Sequence, residues 1–394
     1  MSNGILPVGA LWMWATPLWN IGIGIAAATA LVAAIYFIGR FALAKKAVLI
    51  DELTIGGLGQ PIFYLCLIPS LMALVALPWA LKSDGAESQS AFGTTVMLWT
   101  AGWAAATVLA VFLLFAIIRL ALPKLYAIAV TTSKEAMWQG LYWVLLFLGG
   151  AIITFAIWIP YNTFGEDYKM YKDLGLTVIM LLALFQALWT ASISISDEVE
   201  GRTSLTVLSK PIARWQFILG KFLGLVPPAL FMFLLLGTNF LIGLAYKAGS
   251  YDPAESGVLH LVTEPYIQIQ VLWTIPGLAL GFLEVMVLAS IGVAISTRLP
   301  MAANLAICFS VYVLGHMTPL IVESSLGRFE AVEFFSRLIA TVLPVLEYFK
   351  TDAAITAGRE VPLSYMGLCG LYAAMYCAFM LLLSLLLFED RDLA

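Results

Sequence analysis

LGLTVIMLLALFQALWTASISI, residues 174–195, runs through twenty-two positions without a charged side chain, and SDEVEGRTSLTVLSKPIARWQFILGKFLG, residues 196–224, follows it directly. The first stretch exceeds the roughly 18 apolar residues that mark a membrane span. In hydrocarbon every backbone polar group must be satisfied within the segment, so the span is a helix. Barrel strands would alternate apolar and polar positions, and this run does not. The second stretch holds the densest charge cluster of the chain: Asp197, Glu198 and Glu200, then Arg202, Lys210, Arg214 and Lys221. The chain therefore leaves the bilayer, makes a polar excursion, and re-enters.

Working outward, the same pattern recurs at 21–39, 62–81, 95–118, 141–160, 218–246, 271–295, 301–322 and 362–388. The expectation is an all-α polytopic membrane protein with about nine transmembrane helices. Composition agrees: 62% of the 394 residues are hydrophobic and 11% are charged, against about 25% charged in a soluble domain. Trp12, Trp14 and Trp19 precede the first span, where an interfacial aromatic belt belongs. The first twenty residues carry no Lys or Arg and so lack the basic region of a cleavable signal. Cys66, Cys308, Cys369 and Cys377 all fall in apolar runs, without the paired spacing of a disulfide framework or a zinc site. No stretch between spans exceeds about 40 residues, too short for an independent catalytic domain.

Basic residues set the orientation. With the N-terminus outside, Arg40, Lys45, Lys46, Arg119, Lys124, Lys134, Arg202, Lys210, Arg214, Lys221, Arg298 and Arg391 lie in the cytoplasm, twelve of the 20 Lys and Arg. Asp84, Glu87, Glu166, Asp167, Asp173, Asp252, Glu255 and Glu264 lie outside. The C-terminus is then cytoplasmic. Residues 331–349 are moderately apolar but contain Glu333, Arg337, Pro344 and Glu347. A charge at a span centre costs about 2.5–3.5 kcal/mol, so this stretch reads as interfacial or re-entrant. No internal repeat supports an inverted-repeat secondary transporter.

Within 196–224, Gly201 follows the acidic trio and can break the helix. Thr203 to Leu208 can form a short turn, and Pro211 suits the first position of a new helix. Ile212, Trp215, Phe217 and Ile218 offer apolar cover beside the bilayer, while Arg214 and Lys221 can reach head groups. A loop that merely binds head groups would explain the basic residues. It leaves the acidic trio unexplained, because anionic lipid repels it.

The acidic-Gly-Arg-Thr/Ser stretch, then Leu-x-x-x-Pro-x-x-Arg, then Gly-Lys-Phe-Leu-Gly, resembles the type-2 ABC permease family. KLYAIAVTTSKEAMWQG, residues 124–140, is similar to that family's amphipathic elbow helix. LPVLEYF, residues 343–349, is similar to its outer motif, and FEDRDLA to its cytoplasmic ending. The resemblance implies a six-helix permease core over 124–394, preceded by a three-helix membrane extension over 1–123. It implies a coupling helix built from Asp197, Glu198, Glu200, Gly201, Arg202, Ser204, Lys210, Pro211 and Arg214 that docks on a separate ABC ATP-binding subunit. It further implies a second permease copy or homologue, export rather than import, and a bacterial cytoplasmic membrane. ATP and magnesium would bind the partner ATPase, with no cofactor on this chain. Nucleic acid is not an expected partner.

Other motifs narrow the field. There is no Walker A: Gly220-Lys221 lacks the upstream glycine and is followed by Phe222. The glycines at 56, 57 and 59 complete no dinucleotide fingerprint, and neither HExxH nor GxSxG occurs. Glu284 lies near the middle of the 271–295 span, about one turn beyond Gly277 and Gly281 on one face. It is either a substrate or proton contact or a protonated packing residue. The packing reading is preferred, because the sequence displays no second charge partner within the membrane. His316 beside Met317 could suggest Cu(I), but the 14 methionines are dispersed and packing explains the pair better. Ser192, Ser194 and Ser196 are expected to bond backbone carbonyls. Pro227, Pro228 and Pro276 are expected to kink their helices. A gradient-driven transporter or channel, and a membrane-embedded enzyme, remain as alternatives from other classes.

Overall fold

A computed structural model of the chain describes residues 111, 113–159, 167–200, 213–249, 264–325, 343–351, 354, 355, 359 and 361–389, with the backbone alone for 196–200, 246, 249, 264–269, 318–325 and 389. All of them belong to one unit, residues 103–394. The expected spans at 21–39 and 62–81, the three N-terminal tryptophans and Cys66 lie outside the described residues, as does most of the span at 95–118.

Helix α1 (Pro123–Trp138) opens with proline at its first position, where the missing N–H is harmless. It ends at Gln139, whose ψ of 132° is extended, and the chain turns by 60° into α2 (Gly140–Ala156). The bent pair occupies the stretch over which an elbow helix was expected. Then come α3 (Asp167–Glu200), α4 (Arg214–Gly249), α5 (Glu264–Ser296) and α6 (Met301–Ser325). A 3-10 turn (Leu346–Phe349) precedes α7 (Leu363–Glu389). Among the described residues there is no strand. Helices α3, α4, α5 and α7 are each long and apolar enough to cross a bilayer, and α1 with α2 passes the same test as one bent span. The chain is an all-α, multi-pass membrane protein.

Helix α5 lies against α3, α4 and α7. Along α3, Ile179, Ala183, Leu184, Leu188, Ala191 and Ile195 are fully buried, and Leu188 and Ala191 lie against Gly292 of α5. Polar side chains tie α4 to α2: Tyr142 Oη donates to the Pro228 carbonyl at 3.3 Å, and Asn239 Nδ2 donates to Gly150 O and Thr154 Oγ1. Pro227 and Pro228 lie inside α4 and Pro276 inside α5, without ending either helix.

Several helices outrun their apolar cores. Helix α3 begins at Asp167 rather than near 174, and this extension carries Tyr171 and Lys172 into the interior while Met170 and Asp173 stay exposed. Lys172 is fully buried there, and its ammonium donates to Gln270 Oε1 at 2.6 Å and to the Ile355 carbonyl at 3.3 Å. Near the same end Lys247 donates to the Ala156 and Ile159 carbonyls, closing the C-terminus of α2. Burial lowers the Lys247 pKa, and nearby Asp167 pulls it back up.

Candidate functional site

The polar segment between α3 and α4 is held at both of its roots. On the α3 side the helix continues through Asp197 and Glu198 to Glu200, so the acidic trio occupies its last turn. Carbonyl dipoles make that end negative, and acidic residues are locally unfavourable there unless a cationic surface meets them. Gly201, Arg202, Ser204, Lys210 and Pro211 lie outside the described residues.

On the other side the new helix starts at Arg214, not at Pro211. Ala213 is non-helical and its carbonyl accepts from the Gln216 and Phe217 amides. Gln216 Oε1 accepts the Ala213 N–H in return at 3.3 Å, the reciprocal half of a capping box. That cap sets the start three residues past the proline. Arg214 and Trp215 are exposed.

The expectation that Phe217, Ile218 and Lys221 face lipid and head groups is corrected: all three are buried. The cause is α1, which crosses α4 at Gly220 and Gly224. A Cβ on Gly224 would stand 2.6 Å from Thr132 Cβ and 2.8 Å from the Ala129 carbonyl, and one on Gly220 would stand 2.9 Å from Ile128 Cβ. Only glycine permits that approach. The Gly-Lys-Phe-Leu-Gly stretch is therefore the seat of the elbow helix, whose inner face is Leu125, Ala129, Thr132, Ser133 and Ala136. Lys221, carried into the crossing between those glycines, rests its ammonium over the Phe217 ring at 5.7 Å. Phe217 in turn stacks on Phe388 at 5.8 Å, which places the end of α7 at the same end of the bundle as the polar segment.

One turn inward from the segment, a residue missed by sequence reasoning joins three helices. Asn304 of α6 is fully buried; its Nδ2 donates to Ser192 Oγ of α3 at 2.8 Å and to the Gly292 carbonyl of α5 at 3.0 Å. The Ser192 hydroxyl donates to the Leu188 carbonyl and Ser194 to Ala191, as expected of serines within spans. A carboxamide inside an apolar run was the available signal.

Deeper in the bundle Glu284 is 2% exposed and has a titratable neighbour, contrary to the expectation of none: His316 Nε2 of α6 stands 3.5 Å from Glu284 Oε1. The face expected to carry Gly277, Gly281 and Glu284 is packed. Gly277 meets Ile355 and Leu176, and Gly281 meets Phe233 and Met180. The His316 ring lies 4.8 Å from that of Tyr312. Beside it the LPVLEYF motif folds as the 3-10 turn, with Leu346 and the Pro344 carbonyl against Gly315 and Leu346 and Phe349 buried. Charges on Glu347 and Lys350 act on His316 from this turn. Tyr372 Oη accepts the Val345 N–H, and Tyr365 Oη donates to the Tyr348 carbonyl, so α7 holds the motif from its other side. Cys308, Cys369 and Cys377 are free and buried.

Comparison with curated proteins gives no match. Comparison with protein families gives the profile described as ABC-2 family transporter protein, matched over residues 64–393. The match begins well ahead of residue 124, the expected start of the permease core. Membrane components of this family generally work with an ATP-binding subunit. A match over so much of the chain shows that this protein belongs to the ABC-2 transporter family as a membrane-spanning permease component, a transport subunit that is not itself catalytic.

Proposed function

We propose that the chain is the permease of an ATP-driven exporter in a bacterial cytoplasmic membrane, and that residues 196–214 dock on a separate ATP-binding subunit in the cytoplasm. ATP and magnesium bind that partner, and a second permease copy or homologue completes the pathway. One observation carries the reading. The polar segment is rooted in α3 on one side and in the α1–α4 crossing on the other. A push on it moves packed helices rather than a slack loop. The acidic trio at the negative end of α3 supports a basic docking surface on the partner. The basic residues of the same segment support a cytoplasmic placement.

Closure of the ATPases then biases two arrangements of the helices through their different contacts with the segment. The test uses the purified complex, with an environment-sensitive fluorophore on Tyr348→Cys, an exposed position at the opposite end of the bundle. Glu198→Ala and Arg202→Ala should leave the permease folded and ATP hydrolysis running. The ATP-driven fluorescence change should fall by about fivefold or more. A full change in both variants would refute the docking role.

A further inference from the structure

We propose that Asn304 is the positioning residue that makes α5 and α6 follow the docking segment, through its hydrogen bond to Ser192. This inference rests on the docking role proposed for residues 196–214.

The geometry leaves the carboxamide one orientation. A carbonyl only accepts, so the group facing Gly292 O must be the amide nitrogen. The Ser192 hydroxyl spends its proton on Leu188 O at 2.7 Å and therefore accepts from Asn304. The remaining oxygen, Oδ1, accepts from the Cys308 thiol at 3.3 Å. Asn304, Ser192 and Cys308 are all fully buried. Each polar side chain of the knot has a partner within the protein.

The knot lies where movement would enter. Ser192 is one helical turn before residue 196, where the polar segment begins. Asn304 is one turn past the short α5–α6 link, whose Arg298, Leu299 and Pro300 are exposed at the same end. That link is itself stiff: Thr297 Oγ1 donates to Ala294 O, and the Asn304 amide donates to Pro300 O. One side chain thus fastens the root of the segment to both arms of a helical hairpin. Gly292 lies about 12 Å along α5 from Glu284, so movement at the knot reaches the polar pair with His316. Leucine keeps the branched outline of asparagine, although it is bulkier and its neighbours must shift to admit it. What leucine lacks is directional attachment to Ser192.

The experiment compares Asn304→Leu, Ser192→Ala, the double variant, Ser192→Thr and Glu284→Ala in the complete transporter with its ATPase. It measures the ATP-driven fluorescence change at labelled Tyr348→Cys, the ATPase rate and Tm. Asn304→Leu and Ser192→Ala should each cut the fluorescence change about fivefold or more while hydrolysis continues, with Tm lowered no further than in Glu284→Ala, which loses a polar contact away from the knot and should keep the response. The double variant should be no worse than Asn304→Leu, and Ser192→Thr, which keeps the hydroxyl, should retain the response. An unchanged response in Asn304→Leu, or one lost only in step with Tm, overturns the proposal. If Glu198→Ala and Arg202→Ala uncouple while Asn304→Leu does not, the knot alone is wrong. If none of them uncouples, or the parent label does not respond to ATP, the docking role falls as well.

Discussion

Helices α5 and α7 have nearly the same mean hydropathy, yet 67% of the most apolar window of α5 is buried inside the protein and only 28% of that of α7. Along α5, Val285 to Ala294 are buried without a break. Along α7, Leu368, Leu371, Met375, Phe379, Leu382 and Leu386 are exposed at helical spacing. Water would have forced those leucines inward, but lipid tails are as apolar as leucine, so hydropathy does not separate inside from outside in a bilayer. The separation lies in the small and polar residues. Helix α5 carries Gly277, Gly281, Glu284, Ser290 and Gly292 on surfaces that meet other helices.

The comparison can be broken by substitution, and the largest effect is expected on α5. Gly277→Leu must find room where a Cβ alone would stand 2.6 Å from Ile355 Cδ1 and 3.3 Å from Leu176. Overpacking of this kind costs about 1–3 kcal/mol, seen as a lower Tm in detergent. A Tm equal to that of the parent would show that α5 is not packed as described. A middling effect is expected at Glu284. Glu284→Ala deletes the contact to His316, and a polar contact between helices in a membrane contributes about 0.6–2 kcal/mol. Glu284→Gln, which keeps the shape and hydrogen-bonding capacity, should recover most of that Tm loss. A Gln variant as unstable as the Ala variant would mean that the charge of Glu284, not its size and polarity, sustains the contact with His316. The smallest effect is expected on α7: Leu371→Ala removes a side chain that is 58% exposed, and such changes stay within about 0.5 kcal/mol. A large Tm loss in the isolated permease would place α7 in the interior instead.

The same contrast explains what the sequence makes legible. The spans from 141 to 388 stand out because each is a long apolar run, and α2 to α7 occupy those runs. A separate helix over 124–140 is legible as a less apolar stretch before the next span. Helix ends are less legible, because packing and caps set them rather than hydropathy. Lys172 extends α3 outward by satisfying its ammonium on Gln270 and Ile355, and Gln216 fixes the start of α4 past Pro211. The least legible features are partnerships. Glu284 and His316 are far apart in sequence and on different helices, so each reads as solitary until α5 and α6 are paired. Asn304 gives less away: a carboxamide in an apolar run is a signal, but its partners Ser192 and Gly292 appear only once α3, α5 and α6 are packed.

The central claim is that the segment leaving α3 is gripped by a nucleotide-hydrolysing partner. The most direct measurement is to isolate the full-length chain from its native membrane under mild conditions and identify what accompanies it. The account predicts a separate subunit with a Walker-type ATP site, bound in stoichiometric amount and released when residues 197–202 are replaced by a neutral Gly-Ser stretch. A chain that purifies alone and moves solute down a gradient without ATP would contradict it.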